Sequence, residues 1–136
     1  MAYLNNDDFL LQIQDVNMQQ IINSNEAIRQ QAELVAIGEA RSYLVQKYKF
    51  DNELTKTGED RDAQLLSYII DLCLYHLHSR IAPRNIPELR QTRYDNAVLW
   101  LKMCVSGDVT PKLELNPNNQ GLMTRYGGNT KNINMY

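Results

Sequence analysis

Asp71-Leu72-Cys73-Leu74-Tyr75-His76-Leu77-His78, followed after a break by Arg93-Tyr94-Asp95-Asn96-Ala97-Val98-Leu99-Trp100-Leu101 and closed at Gly107, is the stretch that sets the fold class. Apolar residues recur at three- and four-residue spacing in both halves, the period of a helix with one buried face. In the first half Leu65, Leu66, Ile69, Leu72, Cys73 and Leu77 form the stripe, and Gln64, Ser67, Asp71 and His78 fall opposite. The helix is expected to open near Asp60, where Glu59, Asp60 and Asp62 offset the positive end of its dipole. The second half has Asn85 as candidate N-cap, Pro87 in the first turn and Glu88 at capping-box spacing. Its stripe is Leu89, Ala97, Trp100, Leu101, Cys104 and Val105, and Gly107 sits where a left-handed residue ends a helix.

Upstream, Asn5-Asn6-Asp7-Asp8 offers short acceptors for free helix N–H groups ahead of Phe9, Leu10 and Ile13, which predicts a short first helix. A second piece over 16–22 ends in Asn23-Ser24-Asn25, residues that suit caps and turns. A long helix follows over 26–48, with Ile28, Ala32, Val35, Ala36, Ala40 and Tyr43 on one stripe. Leu34, Ile37, Leu44, Val45 and Tyr48 lie nearly opposite, so neighbours are expected on both sides, with Gly38 at a close helix crossing. Residues 50–58 read as a loop. The fold class is all-α, a small bundle of four to five helices over 1–107 with an extended C-terminal arm over 108–136.

The arm follows from composition. Thr110 to Leu115 can extend as a short strand, and beyond it asparagine and glycine dominate, too polar to form a core alone. Leu113, Leu115, Leu122, Met123, Tyr126, Ile133, Met135 and Tyr136 are more apolar anchors than a solvating tail needs, which points to docking on another subunit.

With 136 residues the chain can bury one ordinary core, and a formal net charge of -2 gives no general attraction to nucleic acid or anionic membranes. No window has the length of uninterrupted apolar residues that a membrane span needs, and the N-terminus lacks a signal-peptide pattern. Cys73 and Cys104 are too few and too far apart for a disulfide framework and read as reduced core thiols. His76 and His78 project about 200° apart on a helix and cannot grip one metal. Cys73 and His76 share a face without a third donor nearby. No phosphate-binding glycine loop or nucleophile elbow occurs. We therefore expect no catalytic residue, metal or cofactor.

Arg80, Arg84, Arg90 and Arg93 form the one local basic concentration, around the turn joining the last two helices. Arg93 falls between Leu89 and Ala97 on the apolar stripe, and a buried arginine needs a partner. A structural pairing with a carboxylate such as Asp71, or a place at a subunit contact, answers that need. Arg80, Arg84 and Arg90 suit a negatively charged partner or passing DNA through non-specific phosphate attraction.

Ala36-Ile37-Gly38-Glu39-Ala40-Arg41-Ser42-Tyr43-Leu44, the run Asp71 to His78 and the run Arg93 to Leu101 occur here in fixed order, followed by a glycine break and a polar tail. In that order and spacing the chain resembles the small helical head-tail connector (neck or head-completion) proteins of tailed phages, including the Mu-like prophage group, over Met1 to Leu115. Family members often carry a proline-rich loop where this chain has Phe50 to Gly58. The resemblance implies a virion structural protein, assembled in the bacterial cytoplasm and located at the neck. Its implied partners are copies of itself in a ring, the portal protein and neighbouring neck or tail proteins, with non-specific contact to genomic DNA in the channel and none to a membrane. The competing expectation is a soluble helical adaptor or regulatory module that binds a single protein or nucleic-acid partner.

Overall fold

A computed structural model describes residues 3–81, 84 and 86–116. Its helices are α1 (Asn6–Phe9), α2 (Asp15–Ile22), α3 (Glu26–Leu44), α4 (Phe50–Glu53), α5 (Ala63–Ile81) and α6 (Glu88–Ser106). The fold is all-α, and α5 explains its layout. Leu65, Ile69, Ile70, Leu72, Cys73, Leu74 and Leu77 are all buried, more than one stripe can account for. A helix apolar nearly all round needs neighbours on several sides. It packs against both α3 and α6, which also touch each other, and α2 lies against α3 and α5.

From α3 comes a row of small residues, Ala32, Ala36 and Ala40, each buried and four apart, followed by Leu44. That row lets α3 approach closely, the part expected of Gly38. Gly38 instead faces outward with nothing within 4 Å of where a side chain would start. Of the opposite stripe Leu44 and Tyr48 are buried and Ile37 and Val45 half-buried, as wrapping requires, but Leu34 is 71% exposed, and Val35 from the alanine stripe faces solvent beside it. Across α5 and α6, Trp100 is buried with its ring 4.9 Å from that of Tyr68.

The ends of the helices follow local chemistry. Asn5 and Asp8 form the capping box of α1, Asn23 closes α2 in the left-handed conformation, and Asn25 caps α3 by accepting from Ala27 N. Gly107, at φ 94°, ends α6 as its position implied. At the start of α6 the N-cap position falls on Pro87, which the sequence places inside the first turn, and among the described residues no side chain caps it. Asn85 lies outside the described residues.

The loop expected after Phe50 contains the single turn α4 and a 3-10 turn over Gly58–Asp60. Phe50 is fully buried and Glu53 is 2% exposed. Glu53 Oε2 accepts from the Tyr3 hydroxyl at 2.7 Å and from Asp62 N at 2.8 Å, while Lys56 lies 3.0 Å from Oε1. Asp62 in turn caps α5 by accepting from Leu65 N at 3.0 Å, and its other oxygen accepts from Lys112 N. Arg61 donates to both oxygens of Asp8 and to Tyr3 O. The first residues, α4, the start of α5 and the segment after α6 are thus joined through six neighbouring polar side chains, Tyr3, Asp8, Glu53, Lys56, Arg61 and Asp62. Asp62→Ala removes a cap and leaves Lys112 N without its acceptor, so it is expected to cost about 2 kcal/mol by urea unfolding. Amide exchange at Lys112 should rise with it, and unchanged exchange there would contradict the clamp.

After Gly107 the chain turns back along its own body. Pro111 is buried, and Leu113 packs against the core. An antiparallel bridge joins Tyr48 to Leu115, with Lys49 N donating to Glu114 O and Asn116 N donating to Lys47 O, each at 2.8 Å. Lys47 is itself buried. Its ammonium and the Tyr48 hydroxyl both donate to Cys104 O, at 3.1 and 3.2 Å, satisfying a carbonyl in the last turn of α6.

Candidate interaction surface

The four arginines do not act as one patch. Arg90 is half-buried and donates through Nη2 to Gln12 O at 3.0 Å, and Arg93 donates through Nη1 to Gln12 Oε1 at 2.7 Å. Gln12 Nε2 donates onward to Ser67 Oγ at 3.1 Å. One glutamine between α1 and α2 therefore ties that loop to α5 and α6. Arg80 and Arg84 are exposed. The cationic surface that can meet a phosphate is reduced to these two and the outer part of Arg93.

Arg93 does not sit on the buried stripe of α6. Its side chain is 44% exposed, and Leu89, expected in the core, is largely exposed as well. Asp71 is the buried member of the pair, on a side of α5 expected to face out. Arg93 Nη1 lies 3.8 Å from Asp71 Oδ1, close enough for attraction and too far for a hydrogen bond, and that oxygen has no hydrogen-bond partner among the described residues. Burial pushes the Asp71 carboxyl up to about 6, against the lowering pull of Arg93 and Arg90. Nearby, burial lowers the affinity of both Arg90 and His78 for their protons, and each feels a cationic neighbour as well.

The two histidines part as their spacing requires. His76 Nε2 lies 2.9 Å from Glu39 Oε1, whose partner oxygen accepts from the Tyr94 hydroxyl at 2.6 Å, and Tyr75 stacks on Tyr94 at 4.0 Å between centroids. His78 instead lines a cavity with Arg90, Asn17 and Leu89. Cys73 and Cys104 are both free and buried, and burial pushes each thiol up to about 12, so neither is a thiolate near neutral pH. Among the described residues no group of three His, Cys, Asp or Glu side chains is placed to hold a metal. No described helix is long and apolar enough to cross a membrane.

Of the expected partner-binding residues, Leu113 is half-buried against the chain's own body and Leu115 is 37% exposed beside Tyr48. Leu122, Met123 and Tyr126 lie outside the described residues. The outward apolar residues are more telling: Leu11, to which the sequence assigns no role, and Leu34 and Val35, which it expects to be covered. Leu11 is 97% exposed in the turn between α1 and α2, beside a cavity of about 300 Å³ lined by Leu66, Ile70 and Arg93. Leu34 borders a separate cavity of about 450 Å³ with Tyr3, Ile37 and Leu54. Val35, its neighbour, borders a third of about 210 Å³ with His76 and Arg80. Single exposed leucines are ordinary on a monomer, but adjacent ones flanked by hollows form a surface. The signal for it was present in α3, whose apolar residues fall on more faces than one layer of neighbours can cover.

No curated protein and no solved structure matches the chain. A family model does, that of Bacteriophage Mu, Gp36, over residues 3–124. That match takes in the whole helical body, the hydrogen-bonded return of the chain along Tyr48 and the first residues of the polar tail, so the protein belongs to the Bacteriophage Mu Gp36 family and is a phage protein.

Proposed function

We propose that this phage protein is a virion structural component of the head-tail connector, a subunit of a ring beneath the portal that joins head to tail and encloses the DNA exit channel. It makes and breaks no covalent bond in that role. The observation that carries the reading is the presence of two separate outward apolar surfaces on one small body, Leu11 with its hollow and Leu34–Val35 with theirs. A ring needs two unlike patches per subunit, each binding the other on the next copy until the rotation closes. Family membership supports the setting. Arg80 and Arg84, exposed at the α5–α6 turn, suit non-specific phosphate contact where DNA passes. The segment beyond Asn116 supplies Leu122, Met123 and Tyr126 as anchors for a neighbouring copy or the portal.

The test is mass measurement of the purified chain alone and mixed with the portal protein of its own phage, followed by imaging of particles carrying a labelled copy. Rings on the portal and label at the neck are expected. A chain that stays monomeric with portal present, or label confined away from the neck, would overturn the reading and favour a single-partner adaptor.

A further inference from the structure

The bridge between 47–49 and 114–116 gives the chain a direction as it leaves the described body. Glu114 is bonded to Lys49 and Asn116 to Lys47, so each step forward in one segment is a step back in the other. At Asn116 the described chain is therefore directed toward the C-terminal end of α3. No described residue covers the outward face of that helix, where Gln30, Gln31, Leu34, Val35, Gly38 and Ser42 are all exposed. At its middle Leu34 and Val35 stand between two hollows of about 450 and 210 Å³. Gly38, one turn on, has open space where a side chain would be, leaving the backbone bare for close approach.

Distance selects an occupant. Leu122 and Met123 follow Asn116 by six and seven residues, about 20–23 Å of extended chain. Leu34 and Val35 precede Lys47 by thirteen and twelve residues, about 18–20 Å at helical rise. The two apolar pairs thus come into register. From 117 to 136 the chain carries Arg125 and Lys131 and no acidic residue. On α3, Arg29 lies 3.1 Å from carboxylate oxygens of both Glu26 and Glu33, one cation against two anions, and Asp51 neutralises Arg41. α3 carries one more acidic than basic residue, but Arg80 lines the hollow beside Val35, so charge there is close to balanced and spacing selects the segment.

We propose that in the free chain the segment after Asn116 runs back along the outward face of its own α3 and seats Leu122 and Met123 on Leu34 and Val35. Tethering keeps the segment at high effective concentration there, so the contact forms without high intrinsic affinity. The inference concerns the unassembled chain and stands whether or not the protein forms a ring. Its test uses the full chain with Val35→Cys and Met123→Cys, at low micromolar concentration under mild oxidation. Asp95→Cys with Met123→Cys, on the exposed side of α6, is the control. Cys73 and Cys104 are buried and do not compete. About tenfold more disulfide within one chain is expected for the α3 pair than for the control. Methyl NMR signals of Leu34 and Val35 should shift when the chain is cut after Asn116, with those of Leu99 unmoved. Cross-linking at the control level with unshifted methyl signals, or a disulfide that forms only between chains, would overturn the proposal.

Discussion

Glu53→Ala should destabilise the fold by about 3–5 kcal/mol, the cost of removing one member of a buried, charged, hydrogen-bonded group. The carboxylate is 2% exposed and accepts from two buried donors, the Tyr3 hydroxyl and Asp62 N, with Lys56 on its other oxygen. Truncation leaves both donors without an acceptor in a place water cannot easily reach, and opens space beside the fully buried Phe50. Asp62 then loses the bond that orients it, so the cap on α5 and the hold on Lys112 weaken together. Glu53→Gln keeps an oxygen for one donor and should cost less, about 1–2 kcal/mol. Urea unfolding measures both. The Tyr3 hydroxyl gives an independent readout: burial first, then its bond to Glu53, hold its pKa well above the usual value, and that pKa should fall in the alanine variant. A loss below about 1 kcal/mol for Glu53→Ala would mean that the carboxylate is not the organiser of this corner.

Asp71→Asn should do the reverse and stabilise the protein near neutral pH. The Asp71 carboxyl is raised from 3.8 to about 6, burial being the main cause. Well below pH 3.8 it is protonated in folded and unfolded chains alike and adds no penalty. As pH rises from 4 through 6 the unfolded chain ionises while the folded chain holds its proton, so stability falls; above 6 the full penalty is present, on the order of 2–3 kcal/mol. Asparagine carries no such penalty. The stability difference, variant minus parent, should therefore be small at pH 4, grow through pH 6 and level off above it. Burial also raises the Glu33 carboxyl, which adds a slope of the same sign to both proteins and cancels in the difference. Urea midpoints at pH 4.5, 5.5 and 7.5 check this, and curves that stay parallel would contradict it. Arg93 at 3.8 Å attracts the carboxylate without hydrogen-bonding it, which is why the pairing does not offset the loss of water.

The three long helices, the caps at Asn5 and Asn25 and the stop at Gly107 were legible because each rests on local chemistry or on a period sustained over several turns. What failed depended on how many neighbours a helix has. Asp71 was assigned outward because the stripe through Leu65 and Leu72 left it opposite, yet α5 is central and has no free side at that level. Ile70 and Leu74, apolar residues off the stripe, were the available sign. On α3 the error ran the other way. Two opposed apolar stripes predict a wrapped helix; the structure buries Ala32, Ala36 and Ala40 from one and Leu44 and Tyr48 from the other, and leaves Val35 and Leu34, one from each, outside. The four residues of α4 are too few to show a period, so the sequence around Phe50 reads as loop although Phe50 is fully buried. For the interaction surface, the basic turn was visible as a cluster of arginines. That Gln12 occupies two of them could not be read, since seventy-eight and eighty-one residues separate it from Arg90 and Arg93.

Antiparallel bonds lie across the strands they join. The bonds from Lys49 to Glu114 and from Asn116 to Lys47 are of this kind, with the Asp62–Lys112 contact behind them. Tension on the residues past Asn116, directed along the bridge, therefore bears on these links in shear, several at once, instead of peeling them singly. Lys47 and Tyr48 pass the strain to the last turn of α6 through the oxygen of Cys104. A protein tugged by its tail would resist as a whole bundle before any one strand let go.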